Sequence, residues 1–188
     1  SLGLNVGGYV ECDARIDPAV TLDGDWHHCA ATFDGQRFRV YFDGKLAGEL
    51  ARPGAIRAGG PARGCIGSLD GGECFQGLLD DLRIYAAALT AAEVAALHRN
   101  GRDALAARPE GREGGEPALP RTLLAHWTFN EHAGATIRDR AGATPARDAR
   151  AEGALPRTAG VHGNAIELRG EHALGVELAL DPAAVSAL

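Results

Sequence analysis

Two Asp-Gly pairs bracket a six-residue alternating run, and this spacing constrains the chain more than any other feature. Asp34-Gly35 precedes Arg37-Phe38-Arg39-Val40-Tyr41-Phe42, and Asp43-Gly44 follows it. Asp-Gly supplies the positive φ angles that two-residue hairpin turns require, and the period-two alternation between the pairs is that of a strand. Phe38, Val40 and Phe42 are expected to face one way and Arg37, Arg39 and Tyr41 the other. Strand-like runs flank this one, Trp26 to Phe33 before it and Lys45 to Leu50 after it. Tyr9 to Ile16, Gly64 to Gly67 and a run within Phe75 to Tyr85 read in the same way. Short strands at this spacing predict an antiparallel all-β sandwich.

One helix is expected in this half. Thr90-Ala91-Ala92-Glu93 is a capping box, Ala91, Val94 and Leu97 lie at helical spacing, and Gly101 supplies a stop. Residues 102–121, rich in Gly, Pro and interleaved charge, read as a linker. Strand character resumes at Leu123 to Phe129, returns at Ala165 to Leu168, and is offered again by His172 to Leu180.

Composition narrows the function classes. With 45% hydrophobic residues the 188-residue chain can build a core. A net charge of −6 excludes a general nucleic-acid surface, and no apolar run is long enough for membrane insertion. The chain opens at Ser1-Leu2-Gly3 without a Met or a secretory signal, which reads as an internal piece of a longer polypeptide. Cys65 and Cys74 flank a Gly-rich turn, a geometry open to a bridge across a hairpin. Cys12 and Cys29 lie in two strand-like runs that could be neighbours. The alternative is four thiols buried as small apolar side chains; the even count leans towards an exported protein.

Four segments taken in order carry a resemblance: Trp26 to Gly35, Phe38 to Gly44, Phe75 to Tyr85, and Leu89 to Val94. Together they resemble the C-terminal half of laminin-G-like jelly rolls, members of the concanavalin A-like lectin and glucanase superfamily. Leu124 to Glu131 and Ala159 to Leu168 resemble the opposite, N-terminal end of such a domain. The implied organisation is the end of one repeat (1–101), a linker (102–121) and the start of the next (122–188), as in a tandem array of neighbouring repeats. The second part either docks on the first as a permuted sandwich, with the linker crossing it, or forms a loosely packed arm.

The resemblance implies a non-catalytic recognition or adhesion module of a larger extracellular or cell-surface protein. Its ligand would be a glycan or an extracellular protein, reached through rim loops such as 51–63 and 68–74. A purely structural spacer repeat is the alternative, and a glucanase remnant the third reading. Retaining glucanases need two carboxyl groups about 5–5.5 Å apart. Asp80 and Asp81 are adjacent, so on a strand they point to opposite faces and cannot form that pair. The resemblance also implies a structural calcium that joins the first strand to the acidic end of the last, with Asp80, Asp81, Asn130 and Glu131 as its oxygen donors. Where related domains carry an acidic run after the strand matched by 166–168, this chain has Arg169-Gly170-Glu171-His172, without that anionic surface.

Overall fold

The computed structural model describes residues 1–57, 63–68, 74–106, 123–142, 147–151, 153, 155–169 and 174–177. The chain begins with a hairpin of β1 (Leu2–Asn5) and β2 (Tyr9–Cys12), turned by Gly7 and Gly8 at φ of 67° and 127°. A one-turn helix, α1 (Pro18–Thr21), follows and was not expected. Its signal lies in Asp17-Pro18: the Asp17 carboxylate accepts the Ala19 N–H at 2.9 Å, and Pro18 needs no partner at the first helical position.

The Asp-Gly pairs produce the expected meander of β3 (Cys29–Phe33), β4 (Arg37–Phe42) and β5 (Lys45–Ala51). Both central residues of the second turn have positive φ, 48° at Asp43 and 73° at Gly44. This is the mirror-image turn whose twist matches the strands. Strand β3 starts three residues later than Trp26, because the Asp43 carboxylate takes the His28 N–H at 3.0 Å. On β4, Phe38 and Val40 are buried as expected, but so is Tyr41, while Phe42 is half-buried. The register against β5 shifts between Val40 and Tyr41, and the face that Tyr41 occupies has its own cover from Leu89 and Val94.

Further along come β6 (Arg63–Ile66), β7 (Gln76–Leu79) and β8 (Leu82–Tyr85). Helix α2 (Ala91–Ala106) opens with the expected box: Thr90 N donates to Glu93 Oε2 at 2.6 Å, and Glu93 N to Thr90 Oγ1 at 3.3 Å. It runs through Gly101, which keeps a helical backbone instead of forming a left-handed cap, and takes in 102–106 from the expected linker. The remaining linker positions, 107–121, lie outside the described residues, as do 58–62 and 69–73 of the two rim loops.

The second part contributes β9 (Leu123–Trp127), β10 (Thr136–Ile137), β11 (Ala149–Ala151), β12 (Arg157–Ala159), β13 (Asn164–Arg169) and β14 (Leu174–Glu177). Every sheet it enters includes a strand from before the helix. The orders are β10-β11-β14-β6, β12-β13-β7 and β8-β9, all antiparallel. Tyr85 and Leu123 are paired across β8 and β9, so the strand before α2 and the first strand of the second part are neighbours in one sheet.

Packing follows from the pairing. The largest core cluster holds Trp127, Phe129, Ile137, Leu155, Ile166 and Leu168 from the second part, covered by Ile66, Leu79, Leu82 and Ile84 from the first. Trp127 is fully buried and donates its indole N–H to the Arg147 carbonyl at 2.8 Å. Truncation to Ala removes a large buried ring and that bond. Trp127→Ala is expected to cost about 3–5 kcal/mol in urea denaturation, with β8 amides losing exchange protection together with β9.

The structure forms no disulfide at Cys12, Cys29, Cys65 or Cys74. Cys12 Sγ lies 4.0 Å from the Phe38 carbonyl at one end of β4, whereas Cys29 pairs with Phe42 at the other. Four residues of strand, about 13 Å, lie between these positions, and a disulfide cannot span Cα atoms more than about 7 Å apart. Phe75 N donates to Gly67 O at 2.7 Å.

Candidate functional site

The expected run from Phe75 to Tyr85 is two strands broken by a bend at Asp80-Asp81, where Asp81 adopts a left-handed φ of 56°. Asp tolerates this region better than most residues. The bend sends β7 to pair with β13 and β8 to pair with β9. The two carboxylates separate here through a bend, not through strand alternation, and each meets a different set of partners.

Asp81 is surrounded by the side-chain nitrogens of Arg83, His126 and His162. Its Oδ1 lies 2.6 Å from His126 Nε2 and its Oδ2 lies 2.9 Å from Arg83 Nη2, with His162 Nε2 at 3.8 Å. At 2.6 Å from a carboxylate oxygen, His126 Nε2 must carry its hydrogen, so the Arg83 Nε beside it at 3.3 Å is not hydrogen-bonded to that atom. Burial pushes the Asp81 carboxyl up, but the His126 hydrogen bond and the Arg83 charge outweigh it and hold the group below the ordinary range.

Asp80 faces the turn at 160–164. Its Oδ2 accepts the His162 N–H at 2.8 Å, while Oδ1 is buried without a hydrogen-bond partner. Burial pushes its carboxyl up, reinforced by the Asp81 charge, and the N–H groups of His162 and Val161 do not offset this. Asn130 reaches the same turn from the far side of β9, with its Oδ1 accepting the Asn164 N–H at 2.7 Å. Glycine is required here: a Cβ on Gly160 would lie 2.5 Å from Asp80 Oδ2, and Gly163 already has a φ of 94°.

The four expected calcium donors therefore divide. Asp80 and Asn130 are brought to one turn, and the orphaned Asp80 Oδ1 is an anionic oxygen that a hard cation would satisfy. Asp81 does not fit, since Arg83 and His126 already neutralise it. Glu131 accepts the Arg138 N–H with its Oε1 at 3.0 Å, while its Oε2 is buried without a hydrogen-bond partner. Among the described residues no three His, Cys, Asp or Glu side chains converge as a metal cage. Any cation at Asp80 would rely on amide and backbone oxygens as well.

A second feature sits at the rim. An open recess of about 440 Å³ is lined by Val6, Gly7, Arg52, Pro53, Gly54, Ala55 and Arg57. Arg52 is fixed by two bonds from its Nε and Nη2 to the Val6 carbonyl, at 3.3 and 3.2 Å. Among the described residues, two guanidinium groups and no carboxylate line it, in a chain whose net charge is −6. Sequence reading missed Arg52, Arg57, Arg83, His126 and His162. Arg52 and Arg57 lie in the 51–63 rim loop, and Arg83, His126 and His162 in the segments that carried the resemblance, though none was singled out.

Residues 2–95, half of the chain, match the laminin-G-type model of the concanavalin A-like lectin/glucanases superfamily, and the chain belongs to that family. The chain matches no curated protein and no solved structure. The fold accords with the match: antiparallel sheets carry most of the structure, with two helices added. Domains of this kind are commonly binding modules, typically non-catalytic and often extracellular. Among the described residues no helix is long and apolar enough to cross a membrane.

Asp81→Asn removes the anion from between Arg83 and His126 and is expected to cost about 3–5 kcal/mol, read by chemical denaturation. The wild-type contribution has a definite pH sense. A carboxyl depressed by folding stabilises above its unfolded pKa, near 4, and that stabilisation is lost as pH falls further through the folded value. The wild type and Asp81→Asn should therefore converge in stability in strongly acidic buffer.

Proposed function

We propose that this chain is a non-catalytic recognition module of a larger extracellular protein, and that it takes its ligand at the rim recess between Val6-Gly7 and Arg52–Arg57. The observation that supports this reading is the charge of the recess. A planar guanidinium held in place by the Val6 carbonyl, with a second beside it, is a donor set for carboxylate or sulfate oxygens. Exposed glycine backbone at Gly7 and Gly54 lets a flat, hydroxyl-rich ligand approach closely. An acidic glycan fits this chemistry best, and an acidic segment of an extracellular protein is the second reading.

A glycan array covering neutral, carboxylated and sulfated sugars tests the proposal. Acidic sugars are expected to bind, and Arg52→Ala with Arg57→Ala should weaken binding at least about tenfold, roughly 1.4 kcal/mol for a lost charged contact. Silence on the array and on extracellular protein pools would favour the structural-spacer reading. Hydrolysis of a polysaccharide by the purified chain would instead revive the enzyme reading.

The module is further proposed to hold a structural calcium ion at Asp80 and Asn130, where it would fasten the 160–164 turn to the bend before β8. Bound there, the ion would supply only charge to the buried oxygen. Calcium is expected to raise the melting temperature of the wild type, and Asp80→Asn to abolish that rise. An equal response in both proteins would remove the ion from this site.

A further inference from the structure

Five of the seven histidines gather along one polar seam that the proposed ligand and ion sites leave unused in part. At its N-terminal end His28 and His98 meet, from β3's entry and from α2, with ring centroids 6.1 Å apart. His28 Nδ1 is buried without a hydrogen-bond partner. The His98 ring lies on Gly44, where a Cβ would come 3.0 Å from its Nδ1, so the helix is seated directly on the β4–β5 turn.

We propose that the His28–His98 contact is an acid-sensitive latch that holds helix α2 on the β4–β5 hairpin. Neutral imidazoles tolerate this partial burial, while protonated ones would place two like charges about 6 Å apart in a half-buried site. The surrounding charges do not absorb the pair. From the turn, Asp43 faces both rings, but its Oδ2 is bound to His27 Nδ1 at 3.0 Å and its Oδ1 accepts the His28 N–H, leaving His98 Nε2 at 4.0 Å. From β8, Arg83 adds a further positive charge facing His28, and Asp81 is already committed to Arg83 and His126. Burial and the His98 and Arg83 charges all disfavour charging His28. A base held neutral in this way stabilises above its unfolded pKa, near 6.5, and that stabilisation is lost as pH falls below it.

His27 acts in the opposite sense. Its ring nitrogens bind Asp43 at 3.0 Å and Asp23 at 3.1 Å and it stacks on Phe42, so acid strengthens the turn while loosening the helix above it. Release would therefore be local. The apolar seat of α2, made by Tyr41, Leu89, Val94 and Leu97, would open while the β3–β4–β5 meander stays closed.

Hydrogen exchange on the intact chain at pH 7.5 and 5.5, corrected for intrinsic exchange rates, tests this. Amides of α2 should lose protection relative to β4 by on the order of tenfold in acid. His98→Gln should remove most of that loss. Unchanged relative protection, or the same loss in His98→Gln, would overturn the latch. Should the variant fail to fold, imidazole NMR titration of the unaltered chain decides: His28 titrating below 6.5 supports the latch, and titration at or above 6.5 refutes it.

Discussion

The two parts of this chain depend on one bend. At Asp80-Asp81 a single extended run changes direction, and its two halves join separate sheets: β7 completes β12-β13, and β8 takes β9. Without the left-handed backbone at Asp81 a straight strand could serve only one of these partners. Each carboxylate then secures one side of the joint. Asp80 receives the turn before β13, and Asp81 receives His126 on β9. Removing polar groups from water is costly unless they are paired, and here the pairing partners come from a part of the chain about 45 and 82 residues away. The acidic pair therefore specifies which strands meet as well as contributing stability.

The core shows the same dependence. All the fully buried members of the largest cluster lie between Ala125 and Leu168, yet that cluster is closed by Ile66, Leu79, Leu82 and Ile84. The earlier part keeps two smaller clusters of its own, one under the β1–β2 hairpin and one under α2. Tyr85 and Leu123 are neighbours, which brings the end of the earlier part and the start of the later one into the same sheet.

Much of the fold was legible from local chemistry. The Asp43-Gly44 turn, the alternation of Phe38 and Val40, and the Thr90–Glu93 box each depend on residues a few positions apart. Expectations failed where a distant group intervened. Asp43 delays the start of β3, cover from Leu89 and Val94 buries Tyr41, and a long-range pairing splits Phe75 to Tyr85. The candidate site was legible only as a set of acidic and amide residues. That Asp80 and Asn130 share a turn, while Asp81 is taken by His126 as well as by its near neighbour Arg83, depends on contacts of Asp80, Asn130 and His126 across more than thirty residues.

By itself the sequence determined the class of fold and its family, because turn chemistry, strand period and helix capping are properties of short segments. It also determined that the chain carries a set of oxygen donors and no compact catalytic acid motif. Only the tertiary structure decided which strands of the two parts pair and which donors are still available to a ligand. Those outcomes rest on strand pairing between distant segments and on burial, which set where each charge finds its partner.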